Sequence, residues 1–365
     1  MKTSLKLFVS ICVLSNGIAM SAMAQVPEGK NKVGPTETLR DKADQEVMRR
    51  RADTLSIPYN ELHKLYRDHD PILYISILPQ FNPLKGRQSP LQDGEGKDGY
   101  WAEGNIAHRI SLYRGKYYSP GFLKKLRATF DAGFMIRMTR DNSSPLLPTS
   151  DNVGLGFDYL VTPIANVVQP NTKNLWVKLQ VHHYSNGQAG SFFLNNTPGR
   201  NNYKNGDFST NYFRVVFNGL TRTLNDHLLS AGLGYQREIN IGGPLTLSDE
   251  FKDAYGLNRL LLNLQWIRAS QFRLLQKEKG STIKTTRTQM SFRTELTYIM
   301  DQNLSRYPLA QKYRLGGHAY FTWMPWVTSD VGFVTHAFLG RDYLNIRYDD
   351  AVFSWQFGLV MNFNK

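Results

Sequence analysis

The sequence predicts an all-β chain: a twelve-stranded antiparallel transmembrane β-barrel with a short N-terminal periplasmic extension. Three observations predict it. From about residue 72 to the end, apolar and polar residues alternate with period two, the mark of strands with one oily and one wet face. The alternating segments are long, roughly ten residues or more, and their polar faces carry Arg, Glu, Gln and Asp. Aromatics such as Trp323, Trp326 and Trp355 gather at segment ends, as in the girdles of membrane interfaces. Past residue 24 no run of 18 apolar residues occurs, which excludes a helical membrane protein. A mean hydropathy of −0.41 is compatible with a barrel, because only alternate strand residues face lipid.

Taken in order, residues 1–24 read as a secretory signal peptide. Lys2 and Lys6 precede the apolar stretch Leu7 to Leu14, and Ala22-Met23-Ala24 sets a cleavage site before Gln25. The stretch is too short to remain as an anchor. The single cysteine, Cys12, lies within it, and Ile11 before it excludes a lipoprotein signal. The mature chain then has no disulfide, thiol nucleophile or Cys-ligated metal. Export of such a barrel points to the bacterial outer membrane.

Residues 25–71 form the extension. Nine basic and nine acidic side chains make it neutral. Glu37 to Thr54 reads as helical, Pro58 interrupts any continuation, and the segment is expected to be solvated. The remainder of the mature chain carries an excess of twelve positive charges. An exported basic protein meets anionic lipid rather than nucleic acid, for which no motif is present.

Residues 72–365 form the barrel, with twelve segments centred near 76, 109, 133, 157, 179, 216, 233, 265, 294, 319, 336 and 358. The last is the clearest. Phe353, Trp355, Phe357, Leu359, Met361 and Phe363 share one face, and the chain ends on that strand. Arg127, Arg137, Arg293 and Glu295 fall on wet faces, and a lumen charge network follows. His182, His108, His318 and His336 are also expected to face the lumen. With both ends in the periplasm, the longer connections after odd-numbered strands, at about 141–152 and 186–208, are external loops.

Chemistry concentrates at the fifth segment. Leu175, Val177, Leu179 and Val181 form its oily face, and the same face continues outward to His183 and Ser185. Spacing i, i+2 puts an imidazole beside a hydroxyl. On the sixth segment Asn211 shares a face with Phe213, Val215 and Phe217, so it points the same way at matching height. A nucleophile, a base and a group to orient the base converge, with a neutral amide as third member.

His183-Tyr184-Ser185-Asn186-Gly187 resembles the His-x-Ser-Asn-Gly motif of outer-membrane phospholipase A, and Ser209-Thr210-Asn211-Tyr212 resembles that family's Asn-bearing segment. The architecture matches over residues 72–365, the motif only over about 183–214. The resemblance implies a twelve-stranded barrel with Ser185 as nucleophile, His183 as general base and acid, Asn211 orienting the imidazole, and the Gly187 N–H stabilising the oxyanion. It implies as substrate a glycerophospholipid in the outer leaflet, beside lipopolysaccharide. It also implies calcium, with Asp207 and the Gln188 backbone carbonyl as oxygen ligands, and a homodimer as the active form. Two departures stand out: the His183–Asn211 interval is longer than the family's, and Tyr184 replaces a frequently acidic residue.

Two other readings compete. Lipid A deacylase also has a His-x-Ser-Asn site, but on an eight-stranded barrel about half this size with an acidic third residue, which would have to be Asp207. The other is a non-enzymatic channel or adhesin barrel. No His or Cys cluster has zinc spacing.

Overall fold

The computed structural model describes residues 35–77, 79–83, 100–140, 146–169, 171–191, 193, 202, 205–223, 227–239, 255–273, 285–301, 313–325, 331–344 and 351–361. The signal peptide, Trp326 and Phe363 lie outside the described residues. The chain divides into two compact units, Met1–Thr54 and Leu55–Lys365. In the first, the described part is helix, and Val47 and Met48 are exposed.

The second unit is a closed antiparallel barrel of twelve strands. Strand β1 runs as two pieces, Leu73–Ile77 and Gln80–Pro83. Both pieces pair with β12 (Ala351–Met361), and the first also pairs with β2 (Tyr100–Arg114). Ser76 lies opposite Gly358 and Gln80 opposite Trp355, so β1 carries one extra residue against β12, a bulge at the seam that closes the barrel. Between them run β3 (Leu126–Thr139), β4 (Ser150–Leu160), β5 (Lys173–Ser185), β6 (Ser209–Arg222) and β7 (His227–Ile239). The circuit continues with β8 (Asn258–Arg273), β9 (Thr285–Ile299), β10 (Leu315–Met324) and β11 (Val331–Arg341). Each strand pairs with its sequence neighbours, and all twelve predicted centres fall within them. Closure leaves no free sheet edge, which the interior of a bilayer demands.

The faces are the reverse of a water-soluble protein's. Leu175, Val181, Phe213, Phe217, Phe357 and Leu359 are exposed on the outside, an apolar belt of the kind that faces lipid. Charges fill the inside. Arg127 bridges Asp70 and Asp158 at 2.7 Å each, and Arg109 bridges Asp70 at 3.1 Å and Asp131 at 2.6 Å. Arg137 joins Glu103 and Asp342 at 2.9 and 2.8 Å. Arg293 pairs with Glu295. His182 and His336 are buried inside as expected. His108 is not: it is exposed, and its neighbour Arg109 takes the inward position. A guanidinium with two carboxylates waiting inside fixes the parity of the strand, so the adjacent residue must face out.

The extension also differs from expectation. Helix α1 spans Pro35–Arg67 and passes through Pro58. From Leu55 onward it belongs to the barrel's own unit. Leu62, Leu65 and Tyr66 are buried with Leu160, Val167, Trp176, Leu220, Leu228 and Ile267, packing into the turn end of the lumen. Asp70 supplies the carboxylate shared by Arg109 and Arg127. A proline inside a helix costs about 3 kcal/mol. Full burial of three large side chains, at roughly 1.5–3 kcal/mol each, more than offsets that.

Candidate functional site

The last residues of β5 and the first of β6 are register partners. His183 lies opposite Asn211, and Ser185 opposite Ser209. The apolar residues Val181 and Phe213 below them are exposed on the outer face, so period two carries His183, Ser185 and Asn211 onto that face at the loop end. His183 Nδ1 is 2.9 Å from Asn211 Oδ1. An amide oxygen only accepts, so Nδ1 carries the proton and Nε2 is left as the basic atom. Asn211 is 3% exposed, which shelters this bond from water, and its Nδ2 has no partner among the described residues.

Ser185 is two positions beyond His183, about 7 Å along the strand, and half-buried. Among the described residues its hydroxyl makes no hydrogen bond with His183.

Asn186, between Ser185 and Gly187, is buried. Its Nδ2 donates to the Gly206 carbonyl at 2.8 Å, and its Oδ1 accepts from the N–H groups of Phe208 and Gln188 at 3.0 and 3.2 Å. These bonds fold the chain sharply after Ser185. Gly187 follows with φ of 64°, in the left-handed region that glycine enters freely. Its N–H has no hydrogen-bond partner among the described residues, which leaves it available to a developing negative charge.

The predicted metal ligands fall in the adjoining stretch. Gly190 N–H donates to the Asn205 carbonyl at 2.7 Å and Asp207 N–H donates to the Gly190 carbonyl at 2.9 Å, so the segment holding Gln188 is clamped against the segment holding Asp207. The Asp207 side chain is exposed and unpaired among the described residues. Partial removal from water pushes its carboxyl up, and the nearby His183 imidazole opposes the rise. A second carboxylate stands here. Asp151 on β4 is the register partner of Ser185, and its Oδ2 lies 3.6 Å from where a Cβ on Gly187 would be. Only the register of β4 against β5 reveals it; no motif marks it. Carboxylate and carbonyl oxygens suit calcium. Among the described residues no three or more His, Cys, Asp or Glu side chains group to hold a metal.

The reverse faces of the same residues hold the strands in place. The Tyr184 hydroxyl donates to the Tyr343 carbonyl at 3.1 Å. His182 contacts Asp131 at 3.1 Å, Asn152 at 2.7 Å and the Tyr212 hydroxyl at 3.1 Å. Tyr184 thus braces β5 from inside, at a position where an acidic residue was the family expectation.

No protein-family model matches the chain, and no curated protein sequence does. Among solved structures it is similar to outer membrane phospholipase A from Escherichia coli, at 15% identity and a TM-score of 0.48, over 84% of this chain and 97% of that one. It is similar to the calcium-bound dimer of the Salmonella typhi outer membrane phospholipase, at 14% identity and a TM-score of 0.47, over 84% of this chain and 98% of that one. The β domain of the Bordetella autotransporter BrkA matches at 12% identity and a TM-score of 0.30, over 80% of this chain and 98% of that one.

Proposed function

We propose that this protein is a phospholipase A of the bacterial outer membrane. It hydrolyses acyl esters of glycerophospholipids that reach the outer leaflet. The observation that carries the reading is the 2.9 Å bond from His183 to Asn211 on the outer face, two positions from Ser185. A nucleophile there meets an acyl ester without the lipid leaving the membrane.

Ser185 Oγ attacks the ester carbonyl carbon while His183 Nε2 takes its proton, and the imidazolium then gives that proton to the departing alcohol. Asn211 keeps the proton on Nδ1 and the ring in place throughout. The Gly187 N–H donates to the oxyanion. A water activated by His183 then releases the fatty acid from Ser185. Calcium held by Asp207 and the Gln188 carbonyl would add positive charge beside that oxyanion. The homodimer is proposed as the active form, with lipopolysaccharide and phospholipid around it.

An acidic residue on Nδ1, as lipid A deacylation by the competing family would need, has no room here, because Asn211 occupies that nitrogen. The test compares wild type with Ser185→Ala in detergent on a phospholipid, with calcium and with chelator. Calcium-dependent release of fatty acid by wild type alone is expected. Absence of release under every condition refutes the reading, and lipid A and liposome conductance are then the next assays.

A further inference from the structure

Helix α1 packs into the turn end of the lumen, beside a cavity of about 450 Å³, and does not reach the loop end. A cavity of about 270 Å³ opens there, lined among others by Arg214 on β6, Arg259 on β8, Arg314 just before β10 and Arg341 at the end of β11. Four arginines from four places around the barrel line one small space. The carboxylate in its lining, Asp342, is already held by Arg137, at 2.8 and 3.2 Å.

Two of the four arginines are available. Arg214 spends Nε and Nη2 on the neutral amide oxygen of Gln236, at 2.9 and 2.6 Å, and lies 5.0 Å over the Tyr212 ring. Neither partner is a carboxylate, and Glu295, whose field reaches Arg214, is already paired with Arg293. Arg314 buries its Nε with no partner among the described residues. An excess of positive charge behind low-dielectric walls concentrates anions. A carboxylate is satisfied by one planar fork, whereas forks arriving from several walls suit a tetrahedral group with oxygens on all sides.

We propose that this cavity is a binding site for a soluble phosphate-bearing anion that enters from the loop side. The site lies inside the barrel, separate from the outer-face residues, and does not depend on the hydrolase reading. Tyr184 and Tyr212 are shared walls: one lies between His183 and Ser185, the other follows Asn211.

Titration calorimetry of the full chain in detergent micelles, with inorganic phosphate as probe, tests the proposal. Saturable binding is expected in wild type, at least tenfold weaker in Arg214→Gln and in Arg314→Gln, and unchanged in Lys116→Gln, which removes an exposed charge at the opposite end. Acetate is expected to bind at least tenfold more weakly than phosphate. Heat-modifiable migration on gels confirms that each variant is folded. Arg214→Lys keeps the charge but not the fork, and serves if Arg214→Gln does not fold; intermediate binding is expected. No saturable binding in wild type, equal binding in Arg214→Gln and Arg314→Gln, equal loss in Lys116→Gln, or equal binding of acetate overturns it.

Discussion

His183 donates its Nδ1–H to Oδ1 of Asn211 across 2.9 Å, and the two residues are register partners on adjacent strands. The sheet itself therefore sets the distance between the two side chains. Asn211→Ala should keep the barrel and lower kcat by about tenfold to a hundredfold, the worth of one sheltered bond of 1.5–3 kcal/mol. His183→Ala, which removes the proton carrier, should cost roughly 10²–10⁴. Steady-state hydrolysis of a phospholipid in mixed micelles measures both. Equal losses in the two variants would contradict the division of roles.

Gly187, just beyond β5, sits at a φ of 64°. Gly187→Ala places a side chain in a conformation that costs about 1 kcal/mol. Alanine keeps the N–H, so a loss of kcat of about fivefold, the worth of about 1 kcal/mol of strain, is expected if that N–H binds the oxyanion, with KM little altered. A change confined to KM would remove Gly187 from that role.

Chelation should abolish hydrolysis, and added calcium should restore it. In Asp207→Asn a neutral amide replaces a charged ligand, so restoration should need at least tenfold more calcium. Identical calcium titrations of wild type and Asp207→Asn would show that the ion sits elsewhere.

Arg127 is shared by Asp70 and Asp158, all three buried. Arg127→Ala leaves Asp70 to Arg109 and leaves Asp158 only the longer contacts to Arg109 at 3.9 Å and Lys178 at 4.0 Å. A destabilisation of about 3 kcal/mol is expected, because a buried carboxylate that loses its closest cation is costly. The midpoint of urea unfolding in micelles reports it, and a shift worth under about 1 kcal/mol would exclude a structural role for the network.

His69, beyond the end of α1, hydrogen-bonds the Leu65 carbonyl and the Ser230 hydroxyl at 2.9 and 2.8 Å, and burial holds its pKa down to about 3 from 6.5. His63 is lowered by burial too. The unfolded chain takes up protons that the folded chain refuses, so stability is lost as pH falls from about 6.5 towards 3. Unfolding midpoints at pH 7.5 and 5 should show the drop, and His69→Gln should lessen it. A midpoint independent of pH would place these rings in water.

The strands were legible because period two is local: each alternating segment announces itself without its neighbours. His183, Ser185 and Asn211 were legible for the same reason, since face and height follow from counting. What stayed hidden depends on distant partners. Pro58 reads as a stop until Leu62, Leu65 and Tyr66 are seen buried against Trp176. His108 faces out because Arg109 has Asp70 and Asp131 inside. Asp151 joins the site only through the pairing of β4 with β5.

His182 and His183 are consecutive, yet one is fixed among Asp131, Asn152 and Tyr212 in the lumen and the other faces the membrane. A strand is read in a frame of two, as a gene is read in a frame of three. Loss of a single codon between Trp176 and His182 would exchange the two sets, sending Tyr184 and His182 into lipid and His183 and Ser185 among the buried charges. Such a lesion would damage the barrel and the outer-face cluster together. Substitutions that respect the frame can tune one face while leaving the other untouched.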